Sequence, residues 1–142
     1  MQKYKIYRLL EEISLSLKNK IEFPKKPELN KEFYDLVHEI GFNNITACEK
    51  IIDISTRVLD NLEKCKDQFS QQEYKIIKSS CETFLETEQS EINFILDLLV
   101  YLDNTIKSYK NLVKNPHNLT ELERNVFNSA KIDLNIFEID VI

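Results

Sequence analysis

The sequence predicts an all-α fold, a helical bundle of about five helices around one long central helix. Three observations carry this. The 142 residues include one glycine and three prolines, too few for the many tight turns of a β-protein. Apolar residues recur at three- and four-residue steps along most of the chain. In the stretch Ile92 to Leu102, nine of eleven side chains are apolar or aromatic, and only Asn93 and Asp97 interrupt. These two lie four apart and form one narrow polar stripe on a helix, so such a helix needs neighbours on several sides.

Length sets the scale of the core. At 142 residues the chain is expected to form a single helical domain, 1–142, burying roughly 70% of its unfolded surface without metal or disulfide staples. The net charge is −5, with seven bases against four acids in the first thirty residues and twelve against twenty in the rest. This acidic balance disfavours nucleic acid and anionic membrane as partners. The three cysteines, Cys48, Cys65 and Cys81, are odd in number, and no pair has metal-ligand spacing. The start of the chain lacks the apolar run of a signal peptide, and the run at 92–102 is too short to span a bilayer. A soluble, cytoplasmic protein is the expectation.

Each element has its own signals. Ile6, Leu9, Leu10, Ile13 and Leu17 give the first helix, which ends before Pro24 and Pro27. Asn30 can cap a short second helix carrying Phe33, Leu36, Val37 and Ile40, and Gly41 stands where a left-handed residue closes a helix. Thr46-Ala-Cys-Glu49 reads as a capping box opening a third helix that runs to about Lys66, with Asp53 and Arg57 paired on its outer face. Ser70-Gln-Gln-Glu73 is a second capping box. From it one seam runs through Tyr74, Ile77, Cys81, Phe84, Ile92, Ile95, Leu99, Leu102, Ile106, Tyr109 and Val113. This is the central helix, about 71–114 and roughly 65 Å long. It is continuous or kinked near 86–91, where six polar residues follow one another; a break with Ser90 as cap is the compact alternative. Asn115-Pro116 stops it. Thr120-Glu-Leu-Glu123 opens a last helix, and the tail Leu134 to Ile142 fits either helix or strand.

Candidate chemistry is sparse. The acids Glu82, Glu86, Glu88 and Glu91 lack the Glu-x-x-His pairs of a di-metal bundle and read as a solvated face. His38 and His117 read as structural or surface residues, and the three thiols as small buried hydrophobes. No metal, cofactor or small-molecule substrate is inferred. The stretch His38-Glu-Ile-Gly-Phe-Asn-Asn-Ile-Thr46 resembles the turn and entry into the recognition helix of arabinose-regulator-type transcription activators. It departs from them at Ala47 and Cys48, where that family carries aromatics. The resemblance implies a helix–turn–helix over 31–66 that reads DNA with Asn43, Asn44, Thr46 and Lys50.

The first expectation for function is a non-enzymatic protein–protein interaction module, an adaptor or a small acidic neutraliser, which works through helix–helix contacts and self-associates as a homodimer. Its expected contact residues are Leu134, Ile136, Phe137, Ile139 and Val141, because an apolar tail otherwise leaves hydrophobic surface exposed. The helix–turn–helix regulator is the alternative.

Overall fold

A computed structural model of the chain describes residues 2–25 and 30–114, and of 109–114 the backbone alone. Among these residues the fold is all-α, with no strand. Among the described residues three α-helices stand where four were expected: α1 (Gln2–Lys18), α2 (Lys31–Lys64) and α3 (Gln71–Lys114), with a 3-10 turn at Lys66–Gln68 between α2 and α3. The helix expected from Thr120 and the tail from Leu134 lie outside the described residues.

Two starts match their sequence signals. Asn30 Oδ1 accepts the Phe33 N–H at 2.7 Å and caps α2. Ser70 Oγ accepts the Glu73 N–H at 3.1 Å, and its own hydroxyl donates to the Glu73 carboxylate at 3.2 Å. The two bonds from the Phe33 and Glu73 N–H groups each satisfy one of the amides that a helix start leaves open.

The expected second and third helices are one. α2 runs through Gly41 without a turn, and Gly41 is buried rather than placed at a helix end. A glycine in a helix interior costs only about 1 kcal/mol relative to alanine, less than apolar burial on either side supplies. Thr46 is not a cap. Its hydroxyl donates back to the Phe42 carbonyl at 2.9 Å, the bond a threonine makes inside a helix. The helix–turn–helix therefore lacks its turn.

α3 likewise runs unbroken through 86–91, so the central helix is continuous, and Ser90 lies exposed within it. Its seam is buried at Ile77, Cys81, Ile92, Ile95, Leu99, Leu102 and Ile106. The expectation that 92–102 is covered on several sides does not hold among the described residues. Phe94, Leu96, Val100 and Tyr101 are exposed.

The chain divides into two compact units, one from residues 1–21 and 42–95, the other from 22–41 and from 96 onward. In the first, Ile6, Leu9 and Ile13 of α1 meet Ile51, Ile54, Val58, Leu62 and Cys65 of α2 and Ile77 and Cys81 of α3, with Phe69 closing one end. Each fully buried aliphatic side chain contributes about 1.5–3 kcal/mol. Within this unit α1 runs antiparallel to α2. Lys3 N–H donates to Gln68 Oε1 at 3.1 Å, and at the other end Ile21 meets Asn44. The Tyr7 hydroxyl donates to Glu73 at 2.9 Å, and its ring meets Phe69 edge-on. In the second unit Val37 and Ile40 of α2 and Leu99, Leu102 and Ile106 of α3 are buried.

Thr46→Ala separates a capping threonine from an interior one. At an exposed interior position it should raise stability by about 0.5 kcal/mol through helix propensity. The loss of about 1 kcal/mol expected of an N-cap would contradict the continuous α2. The midpoint of urea unfolding reads the difference.

Candidate functional site

The chemistry of the first unit gathers where α1 ends. Beyond Lys18 the backbone leaves helical geometry, and its open groups need partners. Asn43 and Asn44 of α2 supply them. Asn43 Nδ2 donates to the Asn19 carbonyl at 2.8 Å. Asn44 grips Ile21 twice: Oδ1 accepts its N–H at 2.9 Å, and Nδ2 donates to its carbonyl at 2.8 Å. The two amides hold the backbone on either side of Lys20 and so direct that side chain inward.

Lys20 reaches two carboxylates on α3. Its Nζ lies 2.6 Å from Glu88 Oε2 and 2.5 Å from Glu91 Oε2. Glu88 and Glu91 are three apart and share a helix face. Glu88 is buried, with 4% of its surface exposed, while Glu91 is half-buried. From α2 the fully buried Cys48 thiol donates to Glu91 Oε2 at 2.7 Å. Cys48, Glu88 and Glu91 each offer one donor atom, and these atoms lie within 4.8 Å of one another.

The electrostatics follow from this placement. Burial, then hydrogen bonding to Glu91 and Glu88, pushes the Cys48 thiol well above its ordinary range, so it stays protonated and acts as a donor rather than a nucleophile. Burial alone would lower Lys20, but the bonds to Glu88 and Glu91 outweigh it and raise the ammonium. Burial alone would raise Glu91, but donation from Cys48 and Lys20 outweighs it and holds the carboxyl low. Counted formally, one ammonium faces two carboxylates and a neutral thiol, a net charge of one negative.

A second polar group lies in the other unit. His38 Nε2 is 3.1 Å from Asp103 Oδ1, and the His38 ring packs 4.3 Å from the Tyr34 ring between centroids. Burial, then the hydrogen bond to Asp103, pushes the Tyr34 hydroxyl up to about 12.

Sequence reasoning missed the first cluster. Glu88 sits not on a solvated face but on the seam, seven residues after Cys81 and seven before Ile95. Reading 86–91 as one polar block hid that register. Cys48 is buried, as expected, but beside carboxylates rather than among hydrophobes alone. Of the residues expected to read DNA, Asn43 and Asn44 are spent on the α1 exit and Thr46 on its own helix, while Lys50 is exposed. Leu134, Ile136, Phe137, Ile139 and Val141 lie outside the described residues. No helix among the described residues is long and apolar enough to cross a membrane. No protein-family model matches the chain, and no curated protein or solved structure does either.

Lys20→Met strands the buried Glu88 and should destabilise the chain by about 3 kcal/mol, the low end for a broken buried pair because Lys20 retains some solvent contact. Adding Glu88→Leu should recover most of the loss, since an apolar pair replaces the ionic one at little cost. The pH dependence has a definite sign. The Glu91 carboxyl is held low in the folded chain, so its contribution is present above the unfolded carboxylate value, about 4.3, and lost as pH falls through the folded one. The raised Lys20 contributes below the ordinary lysine value for as long as its carboxylate partners stay ionised, and loses that contribution as pH rises through its folded value. Urea midpoints of wild type and Lys20→Met should therefore differ most near neutrality and converge in acid.

Proposed function

We propose that this chain is a non-enzymatic, cytoplasmic protein-interaction module that works through helix–helix contacts, and that its partner is a second copy of itself. The observation that carries this is the exposed apolar surface of α3. Phe94, Leu96, Val100 and Tyr101 are 65%, 46%, 57% and 71% exposed on a single helix. Exposed aromatic and aliphatic side chains gathered within eight residues of one helix, 94–101, mark contact surfaces more often than they mark chance. The buried thiol held protonated and the lysine paired with two carboxylates support a charge-compensating role for the polar cluster rather than acid–base turnover. The acidic balance of −5 suits an adaptor or neutraliser that steers onto basic protein surfaces.

Light scattering after gel filtration tests the self-association. The wild-type chain should give a particle near twice its 16.8 kDa, and Val100→Glu with Tyr101→Glu should return it to the single-chain mass with circular dichroism unchanged. Deleting 134–142 should also lower the mass. A wild-type chain that stays at the single-chain mass up to high micromolar concentration, unaffected by the deletion, overturns the homodimer.

A further inference from the structure

We propose that Cys48, Glu88 and Glu91 form a binding site for a divalent transition-metal cation of the zinc class, which enters in exchange for the Lys20 ammonium. The three donor atoms come from two helices, one from α2 and two from α3, and already lie within 4.8 Å of one another. Ligands on a tetrahedral zinc stand about 3.5 Å apart, given bonds of about 2.0–2.3 Å, so side-chain rotation alone closes the set. One thiolate and two carboxylates suit zinc or cobalt; magnesium and calcium take oxygen only.

A separate observation marks the place as a cation site. An ammonium is held there, 2.6 Å from one carboxylate and 2.5 Å from the other. It is delivered by a side chain on the non-helical segment after α1, whereas the candidate ligands stand on helices. Asn43 and Asn44 fix the backbone on both sides of Lys20, so only the lysine side chain has to swing out. The exchange balances. The divalent cation enters, the thiol gives its proton to solvent as the metal–sulfur bond forms, and the ammonium leaves with its charge. The cluster keeps the same formal charge of one negative before and after, so the exchange adds no buried charge. Three protein ligands leave the fourth tetrahedral position to water.

Cobalt(II) titration of the full-length reduced chain tests this, because a cobalt–thiolate bond absorbs in the near ultraviolet and a cobalt–carboxylate bond does not. The wild-type chain should develop the band to one equivalent and lose it when zinc is added. Cys48→Ser should abolish it, while Cys65→Ser should keep it. Lys20→Met, which removes the competing ammonium, should bind about tenfold more tightly, and zinc should raise its thermal midpoint more than that of wild type. Glu91→Gln, at the most exposed ligand, should weaken binding about tenfold with the helical dichroism retained. No band in a folded wild-type chain, a band that survives Cys48→Ser, or binding no tighter in Lys20→Met overturns the site.

Discussion

The structure of the first unit depends on one constraint: a carboxylate, Glu88, sits in the apolar seam of α3 with 4% of its surface exposed. A buried carboxylate without a counter-charge is among the most unfavourable things a small core can contain. Its requirement for a cation reaches back through the chain. Lys20 must arrive from beyond the end of α1, so α1 must stop where it does. The stopped helix leaves backbone groups open, and Asn43 and Asn44 close them. Those asparagines must therefore lie inside α2 at that level, which in turn requires α2 to pass through Gly41 without a turn. The glycine and asparagines, taken alone, look like a loop. Taken with Lys20, they form a clamp on a helical surface.

That conflict explains what the sequence revealed and what it hid. Local chemistry was legible where it was sufficient. Asn30 and Ser70 cap their helices, and the seam of α3 from Ile77 to Ile106 is buried as its spacing predicts. The Asp53–Arg57 pair also stands on the outer face of α2. The failures fall where tertiary structure outweighs local preference. Gly-Phe-Asn-Asn carries every signal of a turn, yet the cost of an interior glycine is small beside the burial of Val37, Ile40, Ala47, Cys48 and Ile51 on one continuous helix. Glu88 was hidden by composition, because a residue within six consecutive polar ones looks solvated. Its register, four residues before Ile92 and seven after Cys81, is the signal that identifies it.

The two halves of α3 solve different problems with one helical period. Up to Ile95 the helix turns a single buried seam inward, and its exposed large apolar side chains, Ile76 and Phe94, stand far apart. Farther on, apolar side chains also occupy the flanks, at Leu96, Val100 and Tyr101, beside the outward stripe of Asn93 and Asp97. A helix of this second kind is not satisfied by a single partner surface. The asymmetry puts the denser exposed apolar surface on the later part of the helix and the polar cluster on the earlier part.

A polar residue in an otherwise apolar seam also fixes alignment. The seam of α3 repeats at three and four residues, so sliding it by seven past α2 would match aliphatic against aliphatic almost as well as the native register does. Glu88 breaks that degeneracy. In a slipped register either Ile95 or Cys81 would stand opposite Cys48 and Lys20, and the carboxylate would face apolar layers with no cation in reach. The lost pairing is worth several kcal/mol, comparable to the margin by which small domains are stable. The same four side chains that place a cation in the core therefore also set which turn of α3 meets which turn of α2.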